Sequence, residues 1–107
     1  MADLELDGHR WKPAGRWWGR GHDGRSLEID VVAEPASSSG PILVGEVKLS
    51  LHATELPRMI SQLQSKVEQC PLTRGRPSQL AFWLPRPLPG GCTVPLITAS
   101  DVFRPTA

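Results

Sequence analysis

The chain has 107 residues, of which 39% are hydrophobic and 21% charged, and its formal net charge is +1. That length suits one small domain, and no apolar run is long enough for a transmembrane helix. We therefore expect a single cytoplasmic domain over residues 1–107, without membrane contact and with its core at about residues 11–103. Residues 1–10 are acidic and lack the apolar stretch of a signal peptide, so we expect them to be loosely ordered.

The first predicted strand lies in the basic, tryptophan-rich segment at residues 10–20, and the Gly-His-Asp-Gly segment after it is typical of a turn. Side chains alternate between the two faces of a strand, so Trp17 and Trp18 should lie on opposite faces. One indole would then pack in the core. Trp18, flanked by Arg16 and Arg20, either packs under a loop or stacks on nucleic acid.

Five further elements are predicted after that turn. Two strands lie within residues 26–50 on either side of a connection rich in serine and glycine, and later strands lie at residues 79–84 and 93–98. Between these pairs, apolar residues recur every three or four positions over residues 54–69, which predicts an amphipathic helix with Thr54 as its N-cap. The order βββαββ is typical of an α/β fold with one main crossover helix.

The second and third strands concentrate acidic residues. If they pair antiparallel about Ser38, Asp30 lies opposite Glu46, and Glu28 lies opposite Lys48. Acidic residues are depleted in strands, and facing carboxylates repel each other unless a positive charge lies between them. A hard cation such as Mg²⁺, which takes oxygen ligands, meets that need. The alternative for Glu28 is a cross-strand ion pair with Lys48, worth less than about 1 kcal/mol when exposed.

Three short segments carry a resemblance to a known family. They are GRWWGR (residues 15–20), EIDVVA (residues 28–33) and GEVKLS (residues 45–50). With Asp30 on one strand and Glu46 and Lys48 two residues apart on the next, they resemble the PD-(D/E)XK nuclease superfamily. They look most like the nuclease-like C-terminal domain of archaeal-type AAA+ ATPases. The similarity covers roughly residues 14–84.

The resemblance implies a restriction-endonuclease-like mixed β-sheet and the hydrolysis of DNA phosphodiester bonds with Mg²⁺ or Mn²⁺. It assigns the metal to the carboxylates of Asp30 and Glu46, helped by the main-chain carbonyl of Val47. Lys48 would orient or help deprotonate the attacking water and stabilise the developing negative charge.

Two auxiliary residues and one missing element complete this interpretation. Glu28 would act as an additional base or hold a second metal, and Gln62 on the helix would support the site. The family core begins with a helix that supplies a further acidic residue. Only about ten residues precede the first strand here, so the first core helix is expected to be missing.

The missing helix leaves two other functions open. The chain could be an inactive nuclease-like module that docks to or regulates an AAA+ ATPase partner, since it contains no phosphate-binding P-loop of its own. It could also bind nucleic acid through its basic segments without cleaving it. A homodimer is a further expectation, because many related nucleases pair two sites to cut two strands.

Overall fold

The computed structural model describes residues 4–6, 8–49, 52–84 and 96–98 of the chain. Its first two strands, β1 (Leu4–Leu6) and β2 (His9–Trp11), pair with each other as an antiparallel hairpin. Trp11 is fully buried, and its indole N–H donates to the carbonyl oxygen of Pro41 at 2.7 Å. This hairpin was not predicted from the sequence. It is attached to the rest of the domain by the Trp11 side chain and by backbone hydrogen bonds from Lys12 to Glu34 and from Ala36 to Arg10.

The remaining strands form one five-stranded sheet. In their order across it, they are β3 (Gly15–Arg20), β4 (Ser26–Ala33), β5 (Ile42–Val47), β6 (Ser78–Leu84) and β7 (Leu96–Thr98). β3, β4 and β5 are antiparallel neighbours, whereas β5, β6 and β7 run parallel. The mixed sheet and the order βββαββ are as predicted, although residues 93–95 of the last predicted strand lie outside the described residues.

Among the described residues, one α-helix, α1 (Leu56–Gln69), connects β5 to β6, as the apolar spacing predicted. A 3₁₀ turn at Ala53–Glu55 runs directly into it. Thr54 lies inside this turn and Glu55 takes the cap position, so the prediction of Thr54 as N-cap was wrong. Pro57 falls in the first helical turn, where its missing N–H costs little.

No helix in the described part of the chain combines the length and the apolar character needed to cross a membrane.

Apolar side chains cover both faces of the sheet. The larger cluster lies on the side of α1 and includes Ile29, Val32, Ile42, Val44, Leu63 and Phe82. A smaller cluster lies on the other side, where Trp11 of the hairpin packs with Ala33, Leu43 and Ala81. Because the central strand β5 is covered on both faces, it reads as an almost continuous apolar run. Glu46 is the one charged residue in that strand, so its position calls for a physical reason.

Candidate functional site at a fork between two strands

β4 and β5 separate at the ends that carry the acidic residues. Their backbone pairing joins Val31 to Gly45, Val32 to Val44 and Ala33 to Leu43. This register confirms the predicted alignment of Asp30 with Glu46, but the pairing stops one residue before them. Beyond that point β4 pairs with β3 alone and β5 with β6 alone, so a fork opens between the two strands.

A β-bulge lies at the base of this fork. Two residues of β4, Asp30 and Val31, lie opposite a single residue of β3, Arg16. The extra residue explains why Ile29 and Val32, three positions apart, both pack on the side of α1. Bulges increase the local twist of a strand and re-aim its side chains, and they are common next to active sites. Here the bulge coincides with the point where β4 leaves β5.

The Asp30 carboxylate lies within the fork. Its Oδ2 accepts a hydrogen bond from the backbone N–H of Val47 at 3.0 Å, and the Glu46 carboxyl group is its hydrogen-bonding neighbour. The side chain of Asp30 therefore takes the place of the backbone acceptor that β4 no longer offers to β5. Glu46 is 7% exposed, so the contact between the two carboxyl groups is shielded on one side from water.

The two carboxyl groups behave as a coupled acid pair. Burial, and then the hydrogen bond with Asp30, raise the pKa of Glu46. The same hydrogen bond is the main cause that lowers the pKa of Asp30, and the Val47 N–H lowers it further. Two carboxylates in contact repel each other when both are ionised, so the ionisation of one opposes the ionisation of the other. The pKa of Glu46 is therefore the higher of the two, and Glu46 is the first of the pair to take up a proton as the pH falls.

A lysine of α1 completes the cluster. The ammonium group of Lys66 donates a hydrogen bond to Oε1 of Glu46. This hydrogen bond and the positive charge of Lys66 both favour the ionised form of that carboxyl group. Gln62 was predicted to be the supporting helix residue. Gln62 is exposed, and in the described part of the chain its side chain makes no hydrogen bond to either carboxyl group. Lys66 follows the buried Leu63 by three residues, and this spacing is the sequence signal that it borders the apolar face.

Lys48 lies just beyond the end of β5. Its backbone N–H donates to the carbonyl oxygen of Trp83 at 2.9 Å, which continues the pairing of β5 with β6. Since Lys48 follows Glu46 by two residues in extended chain, both side chains leave the backbone on the same side. Within the described residues the Lys48 ammonium makes no ion pair, and the positive charges that act on the Asp30 carboxyl group are those of Lys66 and Arg16.

The prediction that Glu28 lies opposite Lys48 was wrong, because β4 and β5 are no longer paired at that point. Glu28 lies opposite Trp18 of β3, and its carboxylate accepts a hydrogen bond from Arg16 at 3.1 Å. Glu28 is therefore not in contact with the carboxyl pair. Its carboxylate lies beside Arg16, on a surface next to the fork.

That neighbouring surface is a basic–aromatic stripe, which we define as Arg16, Trp18 and Arg20 of the edge strand β3. The three side chains share one face of the strand, because they are two residues apart. Trp17, on the other face, packs against the larger core cluster, whereas Trp18 is 69% exposed. The positive charge of Arg16 helps to lower the pKa of Asp30, so one end of the stripe lies near the fork.

The fork offers carboxylate oxygens, the ligand type that a hard divalent cation takes, and the Lys66 ammonium already contacts one of them. The described residues contain no group of three or more histidine, cysteine, aspartate or glutamate side chains suited to a metal. Mg²⁺ is commonly held by one or two carboxylates together with water and substrate phosphate, so the pair of Asp30 and Glu46 is sufficient in kind. The N–H and carbonyl of one residue point to the same side of an extended strand, so the Val47 carbonyl should face the fork, as its N–H does.

No protein-family model, no curated protein and no solved structure matches this chain. Its function is therefore argued from the chemistry of the fork and of the stripe beside it.

Proposed function

We propose that this chain is a metal-dependent nuclease of the PD-(D/E)XK type, with a restriction-endonuclease-like version of its mixed sheet. The contact between the carboxyl groups of Asp30 and Glu46 carries the proposal. Holding two acidic groups together in a partly buried place costs free energy, and a bound divalent cation would recover that cost. Lys48 and the three segments that resemble the family support the same conclusion.

Each residue has a separate task in this proposal. Asp30 and Glu46 hold Mg²⁺ or Mn²⁺, with the Val47 carbonyl as a third oxygen. When bound, such a metal supplies charge neutralisation at the phosphate and acidifies a water molecule. Lys48 orients the attacking water and offsets the negative charge that develops on the phosphate oxygens. The water oxygen bonds to phosphorus, one ester P–O bond breaks, and the departing oxygen takes up a proton.

Metal binding tests the proposal first. We expect calorimetry to detect Mn²⁺ or Mg²⁺ binding to the wild type and to lose it in Asp30→Asn. Glu28→Gln is the matched control, because it removes a carboxylate from the same strand that does not contact the pair. Equal binding by all three proteins would place the metal elsewhere, and no binding by the wild type would refute the proposed metal site.

Cleavage is the second part of the same test. With Mn²⁺ and a mixture of duplex, branched and single-stranded DNA, we expect the wild type to cleave at least one form. Lys48→Met should reduce the rate by about 10²-fold or more while leaving metal binding in place. Lys12→Met removes an exposed lysine that contacts neither Asp30 nor Glu46, and this variant should keep full activity. Equal rates for the two variants would contradict the role of Lys48.

A second candidate function is favoured by Lys66. Its ammonium already neutralises Glu46, which is how an inherited but inactive site could remain stable without metal. The chain would then dock to or regulate an AAA+ ATPase partner, or bind nucleic acid without cutting it. Failure of the wild type to bind metal would favour this candidate. A homodimer remains compatible with both, and sedimentation would measure it.

A further inference from the structure

We propose that the DNA bound beside the fork is single-stranded and that one of its bases stacks on Trp18. This inference rests on the proposed nuclease function and names the form of its substrate. It is carried by the basic–aromatic stripe of Arg16, Trp18 and Arg20, whose three side chains lie along one face of an edge strand.

The exposure of Trp18 is the first observation. Large apolar side chains gain free energy by burial, and an indole that is 69% exposed forgoes most of that gain. Its neighbour Trp17 does pack, on the opposite face, against the core. Trp17 therefore contributes to the core, whereas the indole of Trp18 is exposed to solvent on the other face of β3.

The two arginines are the second observation. At a rise of about 3.3 Å per residue, Arg16 and Arg20 are about 13 Å apart along β3, with Trp18 midway between them. Arg16 donates to Glu28 at 3.1 Å, and Arg20 donates to the carbonyl oxygen of Gly24 at 2.9 Å. A guanidinium group has five N–H donors, so each retains donors for phosphate oxygens.

The stripe suits an unpaired strand better than a duplex. Stacking on Trp18 needs an open base face, which a duplex offers only after unstacking at a cost of a few kcal/mol. An unpaired strand offers open bases, and aromatic side chains flanked by positive charge are how proteins commonly hold it. Arg16 is close enough to Asp30 to help lower its pKa, so one end of the stripe reaches the Asp30 side of the fork. Glu46 and Lys66 lie on the α1 face of the sheet, behind that side.

Binding in EDTA tests this inference separately from catalysis. The probes are a fluorescein-labelled oligothymidine and a labelled hairpin duplex of matched length, measured by anisotropy at low salt. We expect tighter binding to the oligothymidine. Trp18→Ala should weaken that binding by about 5- to 150-fold, the loss expected when one stacked base is removed. Trp18→Phe should keep part of it, and quenching of tryptophan fluorescence should be lost in both variants.

Two control variants separate base stacking from the general loss of exposed apolar surface and from changes in charge. Leu72→Ala removes another exposed apolar side chain and should leave binding unchanged. Glu28→Gln removes the carboxylate beside the stripe and should tighten binding. Equal affinities for Trp18→Ala and Leu72→Ala, a preference for duplex, or no binding to either probe would overturn the inference. If the protein cleaves DNA equally well with and without the Trp18 indole, the proposed nuclease function stands and the stacking of a base on Trp18 is refuted.

Discussion

Gly45, which precedes Glu46 in the central strand, has no room for a side chain. A Cβ at this position would lie 2.2 Å from Cζ3 of Trp83 and 2.8 Å from the carbonyl oxygen of Ala81. The indole could turn aside, but the Ala81 carbonyl belongs to β6, the strand to which β5 is bonded. Gly45→Ala must therefore either displace Trp83 and part the two strands or shift Glu46 out of the fork.

The cost follows from those two distances. Inserting a methyl group into a well-packed interior costs about 1–3 kcal/mol, and a clash with backbone places Gly45→Ala near the upper value. Each kcal/mol lowers the melting temperature of a domain of this size by about 4–8 °C, so we expect a fall of about 12–24 °C.

Thermal unfolding followed by circular dichroism measures this fall, with Gly15→Ala as the matched control. Gly15 also lies in the sheet, but a Cβ there would meet nothing within 4 Å. Its change in unfolding free energy should stay within about 0.5 kcal/mol. Equal melting temperatures for Gly45→Ala and Gly15→Ala would show that the contact between β5 and Trp83 is not as tight as these distances require.

Two further predictions concern the acid pair. Lys66→Met removes a positive charge from Glu46, so calorimetry should show Mn²⁺ binding on the order of tenfold tighter than in the wild type; weaker binding would mean that Lys66 supports the metal rather than competing with it. Because burial raises the pKa of Glu46, the wild type should lose stability as the pH rises through that pKa, and Glu46→Gln should not. Urea unfolding between about pH 4 and pH 8 should therefore show the stability difference moving in favour of Glu46→Gln, and a constant difference would contradict the shift.

The alignment of the two acidic residues was predictable because it depends on local rules. Side-chain alternation puts Glu46 and Lys48 on one side of the chain, and the length of the connection about Ser38 fixes the register of the two strands. The helix was predictable for a similar reason, since its apolar residues recur at helical spacing. Both depend on residues near each other in the sequence.

What the sequence did not reveal depends on contacts between distant segments. The bulge at Asp30 and the end of the pairing before Glu46 arise because each strand is held by a different neighbour. The choice of Lys66 over Gln62 depends on where α1 lies along its own axis relative to β5, because residues four apart share a helix face and differ by one turn in position, which apolar spacing does not fix. The burial of Trp11 depends on a carbonyl oxygen thirty residues away along the chain.

The parallel junction of β5 with β6 has a consequence for the order in which the site assembles. β3, β4 and β5 are joined by short connections, so both carboxyl groups are brought together by contacts between nearby segments. β6 can pair only after the whole helical crossover has closed, and that closure costs more chain entropy. We therefore expect the acidic fork to form early during folding, with Lys66 arriving later on the helix, so that for a time the two carboxyl groups meet without their ammonium partner.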